Sequence, residues 1–143
     1  MDSENEYSWW IHKLSHQIKR RLDARLGGVG ITGVQGRVLH FIQDRYEKQP
    51  VFQKDVEKAF TLRRSTATGI LQLLEKGGLI RRESVAYDAR LKSLVPTEKA
   101  FALHEEMRAS IREMEGLLVQ NIDAQQRQIF LQVIRQMSDN LDT

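Results

Sequence analysis

Along most of this chain apolar positions recur at spacings of three and four, the period of a helix that buries one face. Ile11, Leu14, Ile18, Leu22 and Leu26 follow that spacing and predict an amphipathic helix over about 7–26, stopped by Gly27-Gly28. Thr32 is the expected N-cap of a second helix, with Val34, Val38, Leu39, Phe41 and Ile42 as its buried stripe. The polar run Glu47-Lys48-Gln49-Pro50 reads as a loop. A short helix over about 53–60 should turn Val56, Ala59 and Phe60 inward. After a tight link at Thr61-Leu62, a helix over about 63–76 carries Ala67, Ile70, Leu71 and Leu74 at i, i+3, i+4 and i+7, and Gly77-Gly78 supplies a left-handed stop. Two short helices so closely joined predict a helix-turn-helix.

The period then changes. Leu79-Ile80-Arg81-Arg82-Glu83 and Lys92-Ser93-Leu94-Val95 read as two short strands, with polar residues 84–90 as the hairpin loop between them. Pro96 lacks a backbone donor and is expected to end the second strand. Thr97 then caps a long helix, about 97–121, with Glu98 in its first turn and Phe101, His104, Met107, Ile111, Met114 and Leu118 three or four apart. Asp123 opens a last helix with Phe130, Val133, Ile134, Met137 and Leu141 on one side. Apolar stripes at both ends of the chain need cover, which they could give each other; a second copy of the chain is the better fit.

Composition narrows the class. A chain of 143 residues is one domain, large enough for a hydrophobic core, and its lack of cysteine excludes disulfides and thiolate metal sites. The acidic, polar start MDSENEYSWW is no secretory signal, and no apolar run approaches the roughly 20 residues of a membrane span. A cytoplasmic location without membrane contact is therefore expected. Net charge is only +3, but residues 48–92 hold ten Lys/Arg against five Asp/Glu, whereas residues 1–47 hold seven against six and residues 93–143 five against eight. A basic middle third flanked by an acidic end favours phosphate contact; a solvated charged face explains the charge alone equally well.

The inward stripe of the 63–76 helix leaves Arg63, Arg64, Ser65, Thr66, Thr68 and Gln72 facing out, chiefly in its N-terminal half. Arg, Ser, Thr and Gln in that half are the residue types that read base edges or hold phosphates. Gly69 costs about 1 kcal/mol relative to Ala inside a helix and would permit close approach of DNA or a neighbouring helix. The plainer alternative is that Ser65 and Thr66 only cap the helix while the arginines are solvated. On the hairpin, Asp88 is placed to fix the direction of Arg90, and an arginine at a hairpin tip suits the narrow, electronegative minor groove. Lys92, Arg81 and Arg82 flank it and could hold phosphates. A surface salt bridge worth at most about 1 kcal/mol is the competing explanation.

The runs QKDVEKAF, RRSTATGILQLLEKGGLI and DARLKSLVPTEKA, in that order, resemble the winged helix-turn-helix of the MarR family of bacterial transcriptional regulators, and the likeness extends to the flanking helices. Pro96, Ala100 and Gly77 depart from the usual pattern, which holds an apolar strand residue, a glycine and a charged residue there. The resemblance implies a homodimer built from the N-terminal and two C-terminal helices, one winged domain per half-site of a pseudo-palindromic operator in double-stranded DNA. It assigns Arg64, Ser65, Thr66 and Thr68 to the major groove, Arg90 to the minor groove, and Asp88 to orienting Arg90. It also implies a small aromatic or lipophilic effector between the dimer helices and the winged domain, where Trp10, Lys13, His16 and His40 are lining candidates; an aromatic at such spacing is more often core.

Little else competes. His12 and His16 stand at metal-ligand spacing but lack a third ligand, and Met107 and Met114 read as packing. No phosphate loop, metalloprotease motif or nucleophile elbow is present, so neither catalysis, a cofactor nor a metal is expected. The expected fold is mainly α, a winged helix-turn-helix over 32–96 with a two-stranded β wing and a helical dimerisation region from 1–31 and 97–143. The expected function is sequence-specific transcriptional regulation, as a ligand-responsive repressor. The alternatives are an activator of the same fold or a helical protein-interaction module.

Overall fold

Over residues 5–27 and 30–142, which this computed structural model describes, all the expected elements form: α1 (Tyr7–Leu26), α2 (Gly33–Arg45), α3 (Gln53–Phe60), α4 (Arg64–Lys76), β1 (Ile80–Val85), β2 (Asp88–Pro96), α5 (Glu98–Leu118) and α6 (Ala124–Leu141). Their ends have local causes. Thr32 caps α2 with a full capping box: its hydroxyl accepts from the Gln35 N–H at 3.2 Å, and the Gln35 side chain accepts from the Thr32 N–H at 3.0 Å. Asp55, in the first turn of α3, accepts from the Phe52 N–H at 2.8 Å. At the end of α3, Thr61 adopts a left-handed conformation (φ 52°) that lets Leu62 donate back to the Glu57 carbonyl at 2.9 Å. This sharp reversal separates the two helices of the motif by three residues. Helix α4 stops in the same way, with Gly78 at φ 73° and Leu79 donating to the Leu74 carbonyl at 2.9 Å. Gly27 ends α1 in a right-handed conformation, and Gly28 lies outside the described residues.

The chain divides at Ile111 into two compact units. In the first, Leu26, Val38, Leu39, Ile42, Leu71, Leu74 and Leu94 are essentially inaccessible and form one core with Val56, Ile80 and Met107. Burial of each such side chain contributes about 1.5–3 kcal/mol. Strands β1 and β2 pair antiparallel from Ile80↔Pro96 to Ser84↔Lys92, and Leu94 also donates to the Val51 carbonyl at 2.7 Å. This clasp joins the wing to the loop before α3. In the second unit, Asp123 and Gln126 form a capping box on α6, whose Phe130, Val133 and Leu141 are exposed while Ile134 and Met137 are half-buried.

Several boundaries and faces differ from the sequence expectation. The strands are longer, leaving a two-residue turn at Ala86-Tyr87 in place of a loop over 84–90, because polar residues pair as readily as apolar ones once both ladders are aligned. Pro96 ends β2 as expected, itself paired with Ile80 as the strand's last residue, tolerable because this is an edge of a two-stranded sheet. Helix α4 begins at Arg64 with Arg63 as its N-cap, and α5 ends at Leu118. Ala59 is exposed, since the short α3 needs only Val56 and the half-buried Phe60 to cover the core.

Two glycines set the approach of α1 to α2. A Cβ at Gly33 would lie 2.7 Å from the Leu22 Cβ and 3.3 Å from the Asp23 backbone nitrogen, and one at Gly36 would run into the Leu26 side chain. The Asp23 carboxylate also accepts from the Gly33 N–H. Gly69 is different: a Cβ there meets nothing within 4 Å, so no neighbouring helix requires it. Gly33→Ala should therefore lower the unfolding free energy by about 1–3 kcal/mol. Gly69→Ala should raise it by up to about 1 kcal/mol. Urea denaturation of the two variants checks both signs.

Candidate nucleic-acid interface

The surface of α4 follows from the phase of its buried stripe. With Ala67, Leu71 and Leu74 turned fully inward, Arg64, Ser65, Thr66 and Gln72 are left exposed, and Arg63 stands exposed at the N-cap. No side chain caps this helix. Ser65 and Thr66 are thus not its caps, and among the described residues no hydrogen bond occupies either hydroxyl. The first turn consequently presents two guanidinium groups, two hydroxyls and uncapped backbone N–H groups at the positive end of the helix dipole, all suited to phosphate and base-edge acceptors.

Thr68 is placed otherwise than expected. It is half-buried, and its hydroxyl lies 2.8 Å from the Gln53 Nε2 donor. The same Gln53 amide reaches the Arg64 carbonyl at 3.4 Å. Gln53, the first residue of α3, thereby ties that helix to the first turn of α4. Sequence reasoning missed it, because its partners lie 11 and 15 residues away in the chain.

The wing is built around a bulge. Ser84 pairs with Lys92 and Val85 with Asp88, so Ala89, Arg90 and Leu91 have no partner across the ladder. Bulged residues leave the pleat, and their side chains are re-aimed. Asp88 controls the result: its Oδ1 accepts from the Arg90 backbone N–H at 2.9 Å and from the Arg90 Nε at 3.3 Å. The carboxylate is substantially covered (30% exposed), while the Arg90 side chain is 92% exposed. The guanidinium is therefore directed outward with its terminal nitrogens open. Lys92 donates to the Ser84 hydroxyl at 2.6 Å across the bulge. Arg81 is paired with Glu83 at 2.7 Å, and Arg82 with Glu75 of α4 at 3.4 Å, so the two arginines expected to flank the tip have protein partners and the second ties the wing to α4.

Of the expected effector-lining residues, Lys13 and Trp10 come together on α1. Lys13 lies over the Trp9 and Trp10 rings, 5.0 and 5.1 Å from their centroids, on a largely exposed face of α1, and His16 is exposed on the same helix. His40 belongs to a different neighbourhood. Its ring stands 6.4 Å from that of His104 at 30°, and His104 Nδ1 is 2.9 Å from the Oε1 of Gln43, whose buried amide donates to the Ala100 carbonyl at 3.0 Å. Among the described residues no group of three metal-ligating side chains occurs, and no helix is long and apolar enough to cross a membrane.

A helix-turn-helix whose second helix bares a basic, hydroxyl-bearing first turn, followed by an arginine-tipped hairpin, defines a winged helix-turn-helix. The MarR family model matches residues 29–91. Among solved structures the chain is similar to the S. aureus MepR–DNA complex, with 27% identity and a TM-score of 0.89 over 96% of this chain and 98% of that one. It is similar to S. aureus MepR in its DNA-binding conformation, with 27% identity and a TM-score of 0.84 over 95% and 98%. The fold is shared with the transcription regulator MarR from Oenococcus oeni PSU-1, with 23% identity and a TM-score of 0.81 over 94% and 99%. The MarR family match thus spans the winged helix-turn-helix, and the similarity to MepR extends over nearly the whole chain.

His40 gives this region a pH dependence. Burial holds its imidazole below the ordinary value; Asp44 opposes the shift, and His104, Arg108 and Arg37 add to it. The ring nitrogen Nδ1 is buried without a partner. The folded state thus favours the neutral ring, so stability is full above about pH 6.5 and falls as the pH drops below it. Between about pH 7.5 and about pH 5.5 the urea midpoint of the wild type should fall further than that of His40→Phe, which keeps a ring against His104 but cannot titrate. Equal falls would mean that His40 is not the group responsible.

Proposed function

We propose that the chain is a sequence-specific double-stranded DNA-binding transcriptional regulator that acts as a homodimeric repressor. The observation that carries this reading is the bulged hairpin on which Asp88 holds Arg90 outward, following a helix whose open first turn bears Arg63, Arg64, Ser65 and Thr66. A guanidinium held by one edge keeps its remaining donors for minor-groove acceptors at little further entropic cost. The first turn of α4 then meets base edges in the adjacent major groove, with Gln72 further along the helix and Lys92 on the wing as additional contacts. Phosphate neutralisation by these cations releases counterions and makes affinity fall with salt.

Exposed apolar side chains on α1 (Trp10, Ile11, Leu14) and on α6 (Ile129, Phe130, Val133) support a second copy as their cover. The helical segments 1–31 and 97–143 would form that dimer and 32–96 each DNA-binding half. A dimer reads half-sites separated by a multiple of about 34 Å, and an aromatic or lipophilic effector that changes the spacing of the two halves would release the operator. A cytoplasmic location belongs to the same reading.

Gel-shift titration against a palindrome-bearing duplex and a random duplex, across salt concentrations, tests the reading: tighter binding to the palindrome is expected, and equal binding refutes it. Arg90→Ala should weaken operator binding by about 1–3 kcal/mol in fluorescence anisotropy, with an unchanged sedimentation profile. Unaltered affinity would remove the wing from the interface.

A further inference from the structure

Tyr87 forms the second half of the two-residue turn at the wing tip, bounded by the Val85↔Asp88 pair, and it is 71% exposed. Two-residue hairpin turns ordinarily favour Gly, Asn or Asp, because their backbone geometry suits these residues. Here neither Ala86 nor Tyr87 has a positive φ, so the turn admits a tyrosine without strain but does not call for one. Leu91, in the unpaired run 89–91, is 41% exposed on the same hairpin, and Arg90 stands between the two in sequence with its direction set by Asp88. The tip thus combines an aromatic ring, an aliphatic side chain and an outward guanidinium. The one carboxylate on the tip, Asp88, is already engaged with Arg90.

Single exposed apolar residues are ordinary on protein surfaces. Three features single out this one: its place at the extreme of a projecting hairpin, its continuity with the arginine already assigned to DNA, and the positive charge beside it. Tyrosine has an apolar body and a polar end, so it can cover a deoxyribose wall while its O–H reaches an acceptor. An A·T pair offers only acceptors in the minor groove, whereas G·C adds an amino donor that would face the phenol.

We propose that Tyr87 is a specificity-determining residue of the wing, its ring packing on the sugar wall of the minor groove and its hydroxyl donating to an acceptor on an A·T edge beside Arg90. This rests on the reading of the chain as a duplex-binding regulator, and the experiment separates the two. The full chain first selects its tightest duplex from a random-sequence pool. Wild type, Y87F and Y87A are then compared by fluorescence anisotropy on that duplex, on a version with G·C in place of A·T at the minor-groove positions flanking the selected repeat, and on one with inosine·C there, which lacks the added amino group.

On the selected duplex Y87A should bind about tenfold more weakly than wild type, and Y87F about threefold more weakly. Wild type should discriminate against G·C and recover with inosine·C, and both variants should flatten that difference. Thermal unfolding of Y87A should match the wild type, since the tip is exposed; if truncation disturbs the hairpin, Y87F carries the comparison. Discrimination of equal size in all three proteins would overturn the role of Tyr87 while leaving duplex recognition intact. Selection that yields no duplex preferred over random sequence would instead refute the regulator reading, and the assignment with it.

Discussion

Full burial of one stripe on α4 governs the rest of this molecule. Ala67, Leu71 and Leu74 are 1% exposed or less, the two leucines packed in one core with Leu39, Ile42 and Leu94, and together they set the rotation of the helix about its axis. A residue lies about 100° from its neighbour around a helix, so once these positions face inward Ser65 and Thr66 must face outward, while Arg64 is exposed as the first residue of the helix. The helix also ends where the core requires it. Gly78 reverses the chain so that Leu79 is carried back beneath Leu74, and β1 begins at the next residue. The position of the wing is thus a consequence of the packing that orients α4.

Polar tethers refine what burial establishes. Gln53 joins α3 to Thr68 and to the Arg64 carbonyl, Arg82 joins β1 to Glu75, and Lys99 reaches back to the Gly77 carbonyl at 2.8 Å while the Thr97 hydroxyl donates to the Gly78 carbonyl. Exposed contacts of this kind each contribute little to global stability. Their effect is to restrict the relative motion of α3, α4 and the wing, which any recognition of two adjacent grooves demands. The bulge over 89–91 adds a geometric device: residues released from the ladder can place Arg90 outward without twisting the paired part of the hairpin.

A second polar seam runs between α2 and α5. Gln43 satisfies the Ala100 carbonyl and His104, whereas His40 is left with a buried unpaired nitrogen among Arg37, Arg108 and His104. Hydrogen-bonded polar groups in a core specify how two helices meet; an unpaired titratable one makes that meeting sensitive to protonation. The seam's hydrogen bonds and ring contact join α2 and α5, so acid acts on the packing of these two helices.

Helix existence, the hydrophobic stripes, the Thr32 and Asp123 caps and the Gly77-Gly78 stop were all legible in the chain, because each depends on residues within about one or two turns of one another. So was the pairing of Asp88 with Arg90, two residues apart. The tertiary structure alone decided the partners of Gln53, the half-burial of Thr68, the neutralisation of Arg82 by Glu75 and the location of His40 against His104. It also supplied the reason for Gly33, where Leu22 and Asp23 leave no room for a Cβ. Those facts depend on which surfaces meet across long stretches of chain, and spacing along a sequence records a residue's own helix face but not what is packed against it.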